Sequence, residues 1–440
     1  MLKAAALVLM PDRNQVVPRA SSLESLLLPG HWARMVWGYV ERQNMSRLYA
    51  GIKAVEGGPG RPAIAPEILF ALWLFATWEG VGSARRLEQL TGEDDAYRGI
   101  CGGVDVNYHT LADFRHEVEA MDELLTDSIS SLMAAGAVKL KAVAQDGMRV
   151  RASAGAASFR REDKLKDHLE TARKRVAQLK AYVDDPVGES PRKQAAQRRA
   201  AEEREAYLEA ALARLPELAA IKKKPGQKPE DARRSTTDAE ATVMKMGDGG
   251  FRPVYHIEFG RDTASQVIVG VDVVTTVDVV TTGSDMGQMV PMVEQVVDRC
   301  GRAPDDWLMD GGFPAHDQMD SVTTPTRVMA PVPKPKAKKT TTDEMAGHEA
   351  AGDVSVTPKV AVDPHQRKPG DSTAVGDWRE RMGTDEAKAL DKARAATAEC
   401  VNAQARNLGL VLLPVRGVTF SRQSRGLSIC EPLKAAKQGR

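Results

Sequence analysis

Cysteine is scarce: four residues in 440, at Cys101, Cys300, Cys400 and Cys430. None pairs as CxxC and their spacings match no zinc site, so neither a disulfide framework nor a structural zinc is expected. Free thiols in a reducing compartment are the simpler reading. Aromatic residues are few, at 5%. Charge of one sign is also missing. The 61 Lys and Arg are met by 60 Asp and Glu, for a formal net charge of +1. A global basic attraction for nucleic acid is thereby excluded, and any DNA binding must come from local patches. No apolar run approaches the ~20 residues that span a bilayer. The opening MLKAAALVLM is short and followed by Pro11, Asp12 and Arg13 where small cleavage-site residues belong, so it is not read as a signal peptide. A soluble, cytoplasmic protein without membrane contact is expected. GDGG at 247–250 is not followed by GK[ST], so no phosphate-binding loop is read there.

What is present changes character along the chain. The length suggests two or three domains. Residues 1–57 read as an N-terminal helical segment and 58–135 as a helical domain. In the latter, PEILFALWLFATWEGV carries a wide apolar face, with Pro66 suited to a first turn and Glu67 to the positive helix end. Ser83 is a candidate cap for the next helix, which begins with Arg85 and Arg86. A third helix is expected after the turn Asn107-Tyr108-His109-Thr110, with Phe114 and Arg115 early in it. Short helices, tight turns and basic ends fit a helix-turn-helix-like unit, and equally a plain helical bundle.

VKLKAVAQDGMRVRA (138–152) reads as a strand. Residues 160–235 read as an inserted helical hairpin with a basic linker. Leu165, Leu169, Ala172, Val176, Leu179 and Val183 alternate at spacings of four and three, as in a coiled-coil seam. Leu208, Leu212 and Leu215 mark the second arm. FRPVYHIEF and SQVIVGVDVVTT read as a β-hairpin, and VDVVTT occurs twice in tandem, at 271–276 and 277–282. Segments 136–159 and 236–410 together form the expected catalytic domain, of α/β, mixed α+β class. Residues 333–359 read as disordered, and 411–440 as an atypical tail.

Three acids stand apart by context. Asp146 in AVAQDGMRV and Asp310 in WLMDGGF each end an apolar strand before glycine. Glu399 lies in an Ala-rich helix. Carboxylates at strand ends project toward a cleft, and neighbouring glycines let a substrate backbone approach. Phosphodiester cleavage uses two divalent cations about 3.5–4 Å apart, and Mg²⁺ takes a few carboxylates plus water and phosphate oxygens. Yet an Asp before Gly is ordinarily a turn. Asp272, Asp278 and Asp285 are read as loop and turn acids. His109 and His256 are read as packed or surface residues, not metal ligands.

Several stretches in order, among them PGRPAIAPEILFALWLFATWEGVGSARRLEQL, CGGVDVNYHTLADFR, VAQDGMRVRASAGAASFRR, WLMDGGF and RAATAECVNAQARN, resemble bacterial insertion-sequence transposases of the DDE class. The resemblance runs from about Pro18 to Asn407. It implies an all-α N-terminal domain and a ribonuclease-H-like catalytic domain, a mixed sheet flanked by helices, with the hairpin inserted after the first strand. It implies Asp146, Asp310 and Glu399 as catalytic, metal-holding carboxylates, with Mg²⁺ as cofactor and Mn²⁺ as a substitute. It assigns DNA contacts to Arg394 and Arg406; Arg85, Arg86 and Arg115 are weaker candidates from the N-terminal helices. Glu399 and Arg406 are seven residues apart and so share a helix face. The implied partners are the terminal inverted repeats and target DNA, bound by a homodimer in the synaptic complex.

The chain departs from that pattern in places. Asp391 stands where relatives tend to carry Tyr, and Arg replaces the commoner Lys at 406. The second VDVVTT copy looks inserted. LVLLPVRGVTFSRQSRGLSICEPLKAAKQGR replaces an expected basic amphipathic helix, as after a frameshift or divergence. The alternative reading is therefore a catalytically decayed transposase that only binds specific DNA.

Overall fold

The computed structural model describes residues 22–54, 62–115, 118–181, 191–221, 228–274, 287–311, 315–322, 325–333 and 363–413. The second VDVVTT copy, Asp278, Asp285, most of 333–359 and the tail beyond residue 413 lie outside them. Among the described residues the fold is mixed α and β, with a mixed sheet flanked by helices. None of the described helices is long and apolar enough to cross a membrane.

The N-terminal region is all-helical: α1 (Trp32–Val40), α2 (Ser46–Ala50), α3 (Pro66–Trp78), α4 (Ala84–Glu93), α5 (Asp95–Cys101), α6 (Tyr108–Phe114) and α7 (Val118–Ala134). Helix α3 begins with Pro66 at its first turn and is buried nearly all round, from Ile68 through Leu72 to Ala76. A helix apolar on every side belongs at a core centre, and α1 and α5 pack on it. Capping follows the sequence. Ser83 accepts from the Arg86 N–H, and Asn107 accepts from the Thr110 N–H. The third helix is displaced from its expected position. Helix α6 ends at Phe114, and Arg115 is its C-cap rather than an early residue.

The sheet contains β1 (Ala142–Arg151), β4 (Thr242–Lys245), β5 (Phe251–Asp262), β6 (Ile268–Val274), β7 (Asp306–Leu308) and β8 (Arg327–Met329). Its order is β4-β5-β1-β7-β8, with β6 also paired to β5. Strand β1 runs antiparallel to β5 and parallel to β7, and β7 is parallel to β8. The expected β5–β6 hairpin forms. Asp272 is not a loop acid: it sits within β6, opposite Glu258. A two-stranded ribbon, β2 (Phe159–Arg160) with β3 (Arg234–Ser235), brackets the insertion.

That insertion is α8 (Glu162–Ala181) and α9 (Pro191–Ile221). Arg173 reaches Glu205 and Glu209 while Lys180 reaches Glu202, so the arms run antiparallel. Leu165, Leu169, Ala172, Leu208, Ala211 and Leu215 form their own core, separate from the main one. The main core is continuous from the N-terminal helices through the sheet.

Helices cover both sheet faces. On one lies α10 (Met289–Cys300); Gly270 of β6 lets it sit close, since a Cβ there would come within 2.6 Å of Met292 Sδ. Arg299 locks α10 to α7 through Asp122 at 2.6 Å and to β6 through the Val269 carbonyl at 3.0 Å. On the other lies α13 (Asp385–Asn407), packed against β1, β5, β7 and β8. The short helix α11 (His316–Ser321) and α12 (Thr373–Met382) complete the edge. From α12, Trp378 Nε1 donates to the Ala330 carbonyl and Arg381 to the Val328 carbonyl. Edge strand β8 is thereby covered rather than left as an open template.

Candidate active site

Strand β1 is central, and its period-two alternation sends neighbouring side chains to opposite faces. Asp146 falls on the α13 face and Gly147 on the α10 face. The parallel β1–β7 pairing runs from Ala142 with Asp306 to Ala144 with Leu308; Asp146 lies two residues further along β1, and Asp310 two residues beyond the end of β7. Met309 donates to the Met329 carbonyl. Both Asp146 and Asp310 are half-buried.

The Asp146 carboxylate is held at both oxygens. Oδ1 accepts from the Gly147 N–H at 2.9 Å, and Oδ2 accepts from Asn402 Nδ2 at 2.8 Å. Asn402 is on α13, one turn beyond Glu399. Thr384 caps this helix by accepting from the Ala387 N–H, with Asp385 and Glu386 in its first turn. Thr397, Ala398, Val401, Asn402 and Ala405 face inward. Glu399 and Arg406 lie on the flank of that stripe and are exposed. Arg394 is paired with Asp391 at 3.1 Å, so the Asp standing at the Tyr position engages the neighbouring Arg.

The opposite face holds a sealed polar cluster that sequence reading did not single out. His256 Nε2 and Glu258 Oε1 are 2.6 Å apart. Gln145 donates to Glu258 Oε2 at 3.2 Å and to the Gln288 carbonyl at 3.1 Å, and accepts from Trp307 Nε1 at 2.9 Å. Gln145 and Glu258 are wholly buried. Gly147 is required here, because a Cβ would lie 2.1 Å from His256 Nε2 and 2.6 Å from Glu258 Oε1. The glycine after Asp146 therefore serves packing on one face beside an acid on the other. The sequence reading of His256 as a packed residue agrees with this placement.

The N-terminal arginines differ in availability. Arg85 is exposed, 4.9 Å from the Tyr108 ring centroid. Arg86 pairs with Glu93 at 2.9 Å. Arg115 lies 3.5 Å from the Trp73 ring centroid and donates to the Gly82 carbonyl. Burial pulls its guanidinium down to about 10, which leaves it charged at neutral pH. Arg115 thus braces the α3–α4 turn, which also meets the far end of the chain: a Cβ on Gly409 would lie 3.4 Å from the Gly80 carbonyl oxygen. Leu413 then donates to the Arg151 carbonyl at 2.8 Å, and Leu412 forms a parallel bridge to Arg151. Residues 408–413 bind the N-terminal helices to the end of β1.

Among the described residues no group of three or more His, Cys, Asp or Glu side chains is placed to hold a metal ion. The structure ties α13 to Asp146 through Asn402 and sets Asp310 just beyond the strand next to β1. It leaves Glu399 exposed on that helix.

Compared with known families, residues 21–117 match the family model of a transposase domain (DUF772). The match spans α1 through α6 and stops before the sheet. It supports a transposase in general terms. No curated protein and no solved structure matches the chain.

Proposed function

We propose that the chain is a DDE-type insertion-sequence transposase that nicks DNA at transposon ends and joins them to a target. The observation that carries this reading is the setting of Asp146, which lies in the middle of β1 rather than at a strand end and is bonded through Asn402 to the helix bearing Glu399. Asp310 follows the adjacent parallel strand β7 by two residues. The strand order, with β6 and β5 antiparallel on one side of β1 and β7 and β8 parallel on the other, supports a ribonuclease-H-like domain. The transposase-domain match at 21–117 supports the same assignment.

The donors fit a hard divalent cation, being carboxylate and amide oxygens. One buried acceptor, Asn402 Oδ1, has no hydrogen-bond partner among the described residues. Asp146, Asp310 and Glu399 would hold Mg²⁺, with Mn²⁺ as a substitute; when bound, the cation supplies nucleophile activation and charge stabilisation at phosphorus. The protein's own part is positioning. The sheet carries Asp146 on β1, and α13, bonded to it through Asn402, carries the exposed Glu399. Arg406, exposed on the same flank, would meet a DNA phosphate. Arg85 and Arg86 at the start of α4 are the N-terminal candidates for end recognition, and two protomers would synapse two ends.

The test is a labelled duplex carrying the flanking element ends, incubated with Mg²⁺ or Mn²⁺ beside an Asp146→Ala control. Cation-dependent nicking, absent in the control, is expected. A second reading, specific DNA binding without cleavage, is favoured by the exposure of Glu399 on α13 and by the lack, among the described residues, of a three-acid group placed to hold a metal. Binding without nicking by a folded protein would select it.

A further inference from the structure

We infer that Asn402 is a positioning residue of this site, the side chain that sets the orientation of the Asp146 carboxylate toward a divalent cation and holds α13, with Glu399, in register against it. The inference rests on the proposed metal-dependent reading of the Asp146 face.

Three observations carry it. First, Asn402 is only 7% exposed, and its side chain donates to Asp146 Oδ2 at 2.8 Å. The amide orientation is chemically fixed, because turning it would set two oxygens against each other. Second, its Oδ1 is buried with no hydrogen-bond partner among the described residues. A buried acceptor without a partner is a standing cost to the fold, and an aliphatic side chain would avoid it. Of its neighbours on the inward face, Ala398, Val401 and Ala405 are apolar, and Thr397 donates to its own helix at the Ala393 carbonyl. An orphaned amide oxygen held there at this cost points to a role beyond packing.

Third, its position on the helix is specific. Asn402 follows Glu399 by three residues and precedes Arg406 by four, so all three occupy one stripe. It is the stripe's buried anchor, and Glu399 and Arg406 are its exposed members. A neutral donor suits the task. It orients a carboxylate without neutralising it, leaving lone pairs for a cation, as outer-shell partners of metal-binding carboxylates do.

The test uses the full chain, Mn²⁺ alone and no DNA. Mn²⁺ affinity is read by electron paramagnetic resonance, and Mn²⁺-induced change in melting temperature by thermal unfolding. Wild type should bind Mn²⁺ in a manner lost in Asp146→Asn. Asn402→Ala should weaken that binding by about tenfold or more, the usual effect of removing an outer-shell partner. Asn402→Asp sets a second carboxylate against Asp146. It should melt lower than wild type without Mn²⁺ and gain more on adding it, and the added gain should vanish when Asp146→Asn is combined with it. A merely structural asparagine would lower the melting temperature equally with and without Mn²⁺.

Wild-type Mn²⁺ affinity in Asn402→Ala, or an Asn402→Asp deficit indifferent to Mn²⁺, overturns the inference. If Asn402→Ala does not fold, the Asn402→Asp comparison decides alone. A wild-type response untouched by Asp146→Asn overturns the metal-dependent reading and this inference together. A response that needs Asp146 but ignores Asn402 overturns this inference only.

Discussion

Asp146 and Gly147 are adjacent in sequence and face opposite ways, and the two sides of β1 are built on different principles. On the Gly147 side His256, Glu258, Gln145 and Trp307 are buried and bond one another beneath α10. On the Asp146 side the carboxylates of Asp146, Asp310 and Glu399 are half-buried or exposed, and the buried Asn402 ties the helix above to the strand. Buried polar networks fix register and rigidity when their members are satisfied. A rigid strand presented on one face lets the other face carry carboxylates that would repel one another without a cation. The comparison separates a structural half of the motif from a functional half within two residues.

The largest expected effect tests the functional half. Asp146→Asn should reduce nicking by about 10³-fold, the rate equivalent of several kcal/mol of lost metal-centred stabilisation. Its unfolding free energy should stay within about 1 kcal/mol of wild type. Loss of stability in step with activity would break the division between faces. Gly147→Ala should do the reverse and destabilise by about 3 kcal/mol, because its Cβ must displace His256 or Glu258. A urea midpoint equal to wild type would show that the pocket can yield.

Smaller changes sharpen the same contrast. Trp307→Phe removes the Nε1–H donated to Gln145 and should cost about 2 kcal/mol in denaturant unfolding. Mn²⁺ affinity should be unchanged, and a fall would mean that the two faces are coupled through β1. The least effect on the fold is expected from Arg406→Ala, within about 0.5 kcal/mol. Its mark should be on DNA binding, where the slope of log affinity against log salt should fall by about 1. An unchanged slope would remove Arg406 from the interface.

Legibility followed the range of the interactions. Pro66 and Ser83 act within one turn, so they mark helix starts where α3 and α4 begin; the stretch from Asn107 to Thr110 reads as a turn, yet Asn107 caps α6. The seam through Leu165, Leu169, Ala172 and Val176 reported one face of a long helix, and that face is the buried one. Asp272, close to the expected strand end, reads as a loop acid; opposite Glu258 it is a strand residue, because the β5 partner extends β6 to Val274. Arg115 looked like a basic helix-start residue, but its setting depends on Trp73, 42 positions away in sequence.

By itself, the sequence determined the local and periodic features: all-helical beginning, inserted hairpin, strands around Asp146 and the β5–β6 hairpin. Hydrophobic period and capping chemistry act over a few residues and leave their imprint in linear order. Only the tertiary structure decided that β7, the strand before Asp310, lies parallel beside β1, that Gly147 makes room for His256 and Glu258, and that Asn402 reaches Asp146 across 256 positions. Those relations depend on strand register and on which face a helix covers. A one-residue change of register reverses every side chain, so no window of sequence shorter than the fold can contain them.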